Sequence, residues 1–179
     1  MAAEPQIDQG AALLALYDAA VGDVYHYLLA RCSTASVAED LCAETFLAAC
    51  DAAKRGSIPA VTVAWLIGVA RHKLADHWRR EAREQRRLHA VIAEPARQVD
   101  DPWDGILEAD VARAVLASLT PSHRAALVFR YIDGRSVAEV AIDLGRTVEA
   151  TESLLVRARS GFRCRYAELT DDRSEPDHG

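Results

Sequence analysis

Apolar positions recur at helical spacing through most of this chain, and the breaks between them divide it into short helices. From Ala11 to Arg31, Leu13, Leu16, Tyr17, Ala20, Val24, Tyr27 and Leu28 can line one broad face. Ser33 to Ser36 is a break, and Ser36 with Glu39 has the S-x-x-E form of a capping box opening a second helix to about Arg55. In that helix Val37, Leu41 and Ala48 can pack inward, with Glu39, Asp40 and Glu44 largely outside. The composition of Gly56 to Thr62 predicts a loop. A third helix begins near Val63, with Trp65, Leu66, Val69, Ala70, Leu74 and Trp78 as its apolar face.

Val91 to Ile106 holds two prolines and the acidic stretch VDDPWDG, which predicts a linker. Beyond it, Leu107 to Leu119 reads as a helix seamed by Val111, Val115, Leu116 and Leu119. Thr120-Pro121 is an N-cap followed by proline at the first helical position. That helix runs to about Tyr131, burying Ala125, Leu127, Val128 and Tyr131, and Asp133-Gly134 is a turn. Ser136 and Glu139 form a second capping box, Val137, Val140, Ala141 and Leu144 an apolar face, and Gly145 a C-cap. Thr147 can cap a final helix in which Thr151, Leu155, Ala158 and Phe162 share one face. The expected fold is all-α: two small helical domains, 8–88 and 107–168, an acidic linker 89–106, and a disordered tail 169–179.

Half of the 179 residues are hydrophobic, so a substantial core is available. The N-terminus has no signal-peptide pattern and no apolar run reaches a bilayer-spanning length, so a cytoplasmic protein without membrane insertion is expected. The net charge of −6 argues against a generic nucleic-acid coat, but the charges come in blocks. Arg71, Lys73, Arg79, Arg80, Arg83, Arg86 and Arg87 form one basic run; Arg157, Arg159, Arg163 and Arg165 form another. A basic helix end is favourable to the helix dipole in any protein. Interleaved with His77 and Trp78, the first run also suits a nucleic-acid backbone and unstacked bases. On spacing alone the acidic residues of the second helix read as a solvated face. Cys32, Cys42, Cys50 and Cys164 include no C-x-x-C and read as reduced, mostly buried thiols, so no metal and no cofactor are expected. Phosphate-loop glycines and a nucleophile–base pair are missing from the pattern, and His26, His89 and His123 read as surface or packing residues, which argues against an enzyme.

A helix, a glycine turn and a second helix with its own seam, over Ser136–Arg159, form the helix-turn-helix pattern. Such a unit lays its second helix in the DNA major groove, although helical hairpins of the same pattern also bind only other helices. Two readings follow from the residues alone: a dimeric helix-turn-helix regulator that needs no polymerase, and a helical adaptor whose arginines meet an acidic partner.

Three segments, in order, carry a resemblance. AEDLCAETFLAA, WLIGVARHKLADHWRR and LASLTPSHRAALVFRYIDGRSVAEVAIDLGRTVEATESLLVRAR resemble the second conserved region, the promoter-melting helix and the fourth conserved region of the extracytoplasmic-function (group IV) sigma factors of bacterial RNA polymerase. The resemblance implies no enzymatic activity, core polymerase (its clamp helices and flap) and promoter DNA as partners, and an anti-sigma factor as an inhibitory one. It places Asp40, Leu41, Glu44 and Phe46 against the polymerase clamp helices. It gives Ser57, Trp65, Arg71 and His72, with Lys73, Asp76, Arg79 and Arg80, to the minus-ten element. Arg146, Thr147, Glu149 and Glu152, with Ser153, Val156 and Arg157, go to the minus-thirty-five element. This chain departs from the family at Glu152 and Leu154, where Lys and Arg are common, and at His72, where Asn is common. A Glu in the major groove can accept a hydrogen bond from cytosine N4.

Overall fold

The computed structural model describes residues 8–88 and 109–171. Those residues form seven α-helices and one π-turn, and no strand occurs among them. The order is α1 (Gln9–Leu29), α2 (Ala35–Lys54), α3 (Val63–Leu88), α4 (Ala109–Ser118), α5 (Pro121–Leu127), the π-turn Val128–Ile132, α6 (Val137–Leu144) and α7 (Val148–Asp171). The chain divides into two compact units, 1–76 and 77–179, with the second half of α3 in the latter. The expected linker 89–106 lies outside the described residues. α7 continues through Asp171, so the first residues of the expected disordered tail are helical and the others lie outside the description. No helix among the described residues is long and apolar enough to cross a membrane.

In the first unit α1 packs along α2. Leu13, Ala20, Val24 and Leu28 of α1 and Ala38, Leu41, Cys42, Thr45 and Ala49 of α2 are buried. Of the other positions expected inward, Leu16, Val37 and Ala48 are half-buried and Tyr17 is exposed, touching the Phe46 ring edge-on at 5.0 Å between centroids. The cap of α2 is Thr34, not Ser36: its extended backbone points Oγ1 at the Val37 amide, 3.3 Å away, and Ser36 already lies in the first turn. The Gly56–Thr62 segment is a loop as expected, begun by a positive φ of 63° at Gly56. It is tied to α1 by a paired amide. Gln9 Nε2 donates to Ile58 O at 2.8 Å, and the Ile58 amide donates to Gln9 Oε1 at 3.1 Å. Cys42 is buried and Cys32 half-buried, whereas Cys50 and Cys164 are exposed, so the expectation of mostly buried thiols is corrected for those two.

In the second unit α4, α5 and α6 all pack against α7. Three of the four are very short, and polar ties hold them. The Arg124 side chain is buried and donates to the carbonyls of Leu116, Ala117 and Leu119 at 2.9, 2.7 and 3.3 Å, satisfying the C-terminal end of α4. Thr120 caps α5 with Pro121 behind it, as read from the sequence. α5 does not run on to Tyr131: the Asp133 amide reaches back five residues to Val128 O at 3.0 Å, closing a π-turn. Within that turn Phe129 is fully buried and Tyr131 only half-buried.

Candidate nucleic-acid interface

The second helical pair is built from its caps. Ser136 Oγ accepts from the Glu139 amide at 3.3 Å, and the Glu139 carboxylate accepts from the Ser136 amide at 2.9 Å, closing the capping box. α6 ends in a Schellman pair, Arg146 N to Ala141 O and Gly145 N to Ile142 O, with Gly145 at φ 61° in the left-handed region. Asp143 sits inside this pair with its side chain 1 % exposed, 3.2 Å from Arg135 Nε; Arg135 also reaches Glu139 at 2.7 Å. Thr147 opens α7, its Oγ1 accepting from Ala150 N at 3.2 Å.

α7 then separates into two faces. Thr151, Leu155, Ala158 and Phe162 are buried, as the seam predicted, and Leu154 joins them at 3 % exposed. The departure at Leu154 is therefore a core substitution and removes no side chain from the outer face. Thr147, Glu149, Glu152, Ser153 and Arg157 are exposed, and Arg146 and Val156 half-buried, so all the expected minus-thirty-five residues border this outer face. The Glu149 carboxyl is held below the usual carboxylate range, first by its own backbone N–H and then by the Thr147 hydroxyl. Burial, and then the charges of Arg86 and Arg157, push the Arg146 guanidinium below its usual value.

The residues expected to meet the minus-ten element divide between the units. In the first, Trp65, His72 and Asp76 recur at i, i+7 and i+11 along α3 and so share one side of it. His72 is exposed; Trp65, Arg71, Lys73 and Asp76 are half-buried. Ser57 is exposed in the loop, its Oγ donating to Ala52 O at 3.1 Å. In the second unit Arg80 is exposed, and Arg79 Nη1 donates to Asp143 O at 2.8 Å. Trp78 is corrected. It is 2 % exposed, its ring 5.3 Å from that of Phe129, so it is a core residue and does not offer a face to bases.

On the acidic side Asp40 is exposed, and Glu44 lies 3.8 Å from Lys73. Leu41 is 2 % exposed, packed inward as its place on the seam of α2 predicted. Phe46 lies in an apolar groove of about 470 Å³ between α1 and α2, with Leu13, Leu14, Tyr17 and Cys50 among its walls. Leu14 is 77 % exposed. Sequence periodicity missed this groove because Leu14 lies off the buried stripe of α1. Part of the basic run read from the sequence meets Arg146 in the fold: Arg79, Arg83 and Arg86, spaced i, i+4 and i+7, line one cleft with it, a meeting the sequence did not show.

Among the described residues, which are helical, one unit carries a capped helix-turn-helix with a polar outer face and the other an apolar groove and exposed acids; these features define the class, and comparison with known proteins agrees. Residues 16–84 match the Sigma-70 region 2 family and residues 110–160 the Sigma-70, region 4 family. The chain is 33% identical to the ECF RNA polymerase sigma factor SigC of Mycobacterium tuberculosis over 86% of this chain and 82% of that protein. It is 30% identical to the ECF RNA polymerase sigma factor SigL of the same species over 90% of this chain and 92% of that one. In fold it is similar to the sigma factor RpoE from Bartonella quintana, solved in complex with the anti-sigma factor NepR. The TM-score is 0.53 at 19% identity, over 86% of this chain and 96% of that one. The chain belongs to the ECF sigma factors of RNA polymerase. It is a transcription initiation factor, and it directs transcription as a sigma factor does.

Proposed function

We propose that this sigma factor acts by docking and base recognition, without enzymatic activity of its own, in the bacterial cytoplasm. The observation that carries the reading is the outer face of α7: a polar row of Thr147, Glu149, Glu152, Ser153 and Arg157 above a buried seam, presented by an α6 fixed at both ends. Arg146 and Val156 flank that row, and together they read the minus-thirty-five duplex, with Glu152 accepting from a base edge. Ser57, Trp65, Arg71, His72, Lys73 and Asp76, followed by Arg79 and Arg80, hold the minus-ten strand. There Trp65 supplies the aromatic surface that Trp78 does not. Asp40, Glu44 and Phe46, backed by Leu41, bind core polymerase, and the groove beside Phe46 extends that contact. Functional domains at 8–88 and 107–168, joined by 89–106, remain the division that suits these roles. The regulator that needs no polymerase loses its support, because residues 16–84, the half it would use for sensing or dimerisation, match a sigma region. An anti-sigma factor is the further partner proposed, since the RpoE of similar fold was solved with one.

The free chain should bind duplex DNA poorly, because its net charge is −6 and its reading face carries two carboxylates. Promoter binding should appear on adding core polymerase, measured by electrophoretic mobility shift at fixed salt. Tight duplex binding by the chain alone would sink the proposal.

A further inference from the structure

The loop 56–62 is fixed at both ends and also in its middle, where the tie comes from far away in the chain. At its start the Ser57 amide and hydroxyl both donate to Ala52 O, at 3.0 and 3.1 Å. At its end Thr62 Oγ1 accepts from the Trp65 amide at 3.2 Å and caps α3. Between them Ile58 is 4 % exposed, and its backbone meets the side chain of Gln9, 49 residues earlier, at 2.8 and 3.1 Å. Those bonds use both the C=O and the N–H of one residue. Pro59 favours an extended Ile58, whose N–H and C=O then point to the same side. A carboxamide carries a donor and an acceptor side by side, whereas a carboxylate lacks the donor and an ammonium the acceptor. Gln9 is itself held in place. It is the first residue of α1, and Asp8 fixes that turn by accepting from the Gly10 and Ala11 amides at 2.9 and 3.2 Å. All of these groups lie in the first unit.

We propose that Gln9 is a positioning residue for minus-ten recognition: it touches no DNA and sets the shape of the loop that does. The inference rests on Ser57 and its loop meeting that element. Ser57, Pro59, Ala60 and Thr62 are exposed around the buried Ile58, so the anchor sits among the groups that a captured base would meet. A loop that begins at a left-handed glycine and continues in small residues has many conformations open to it. Ordering it only when the strand arrives would subtract that entropy from the binding energy. The Gln9 clamp orders the loop beforehand, at the residue beside Ser57, by tying it to the capped start of a long helix.

The test uses the full chain with saturating core RNA polymerase. A promoter selected with the wild type is randomised at each element in turn, and base preference is read from the transcripts made with the wild type, Gln9→Met, Gln9→Glu and Ser57→Ala. Gln9→Met keeps the length of the side chain and loses both bonds to Ile58. Exchange of the Ile58 amide should then quicken about tenfold or more, and base preference at the minus-ten element should fall about tenfold. Preference at the minus-thirty-five element and affinity for core polymerase should not change. A fall in all of these together is what a merely structural role gives, and it overturns the inference. Gln9→Glu keeps the acceptor for the Ile58 amide and should lie between the wild type and Gln9→Met. It decides the matter if Gln9→Met loses its helical circular dichroism. Wild-type minus-ten preference in the folded Gln9 variants, with Ser57→Ala altering it, overturns the inference and leaves the loop's assignment standing. If Ser57→Ala has no effect either, the assignment fails and the inference fails with it.

Discussion

The two units solve the problem of ordering helices in different ways. α1 and α2 are 21 and 20 residues long, and an apolar seam along both suffices to align them. α4, α5 and α6 have 10, 7 and 8 residues, each below the length at which an isolated helix is even marginal in water. There the order comes from polar ties: the buried Arg124, the Thr120 cap, the Ser136–Glu139 box and the Arg135–Asp143 pair. The difference suits the roles proposed for the two units. A broad partner surface tolerates small slides between long helices. A helix that reads base edges has to be held in angle and register, and fixed polar geometry does this better than sliding apolar contact.

The contrast is broken most strongly at Arg124. Arg124→Met leaves three carbonyls without their donor, and should cost about 3 kcal/mol in urea unfolding of the second unit. A loss within the range of an ordinary surface substitution would show that the short helices do not depend on this tie. On the other unit the expected effect falls on binding. Leu14→Gln should change stability by no more than about 0.5 kcal/mol, since the side chain is 77 % exposed. Its affinity for core polymerase should fall about tenfold if the groove is part of the dock, about 1.4 kcal/mol by surface plasmon resonance. Unchanged affinity would limit the dock to the acidic edge.

Ser136→Ala removes one half of the capping box and should cost about 1 kcal/mol, with hydrogen exchange rising first in α6. The smallest effect concerns Glu149. Its folded-state pKa is depressed, so its contribution is in place above the unfolded value and is lost as pH falls through the folded one. Glu149→Gln should therefore be slightly less stable than the wild type near neutrality, with the difference vanishing as pH falls through the folded-state value, so that the acid limb is flatter. An acid limb identical to the wild type would remove Glu149 from the capping of α7.

What the sequence made legible was local. The Thr120-Pro121 start, the Ser136 box, the left-handed Gly145 and the Thr151–Phe162 seam each depend on neighbours within a few residues, and all are present. Thr34 was missed because two S/T residues compete for one helix start, and the backbone angle decides between them. The π-turn, the burial of Trp78 against Phe129 and the role of Arg124 depend on packing between segments distant in sequence. The same limit applied to the candidate sites. The outer row of α7 followed from its seam, and Leu41 and Trp78 are buried as their apolar faces predicted, so only the aromatic surface read for Trp78 within the basic run is withdrawn.

The central claim is that these surfaces work through polymerase. The most direct measurement is a pull-down with bacterial core RNA polymerase followed by run-off transcription from a pool of random promoters. Stable binding is expected, with transcripts that share a pair of promoter elements and with the upstream element changed or lost in Glu152→Ala. A folded chain that does not bind core polymerase, or one that binds and selects no shared elements, would contradict it.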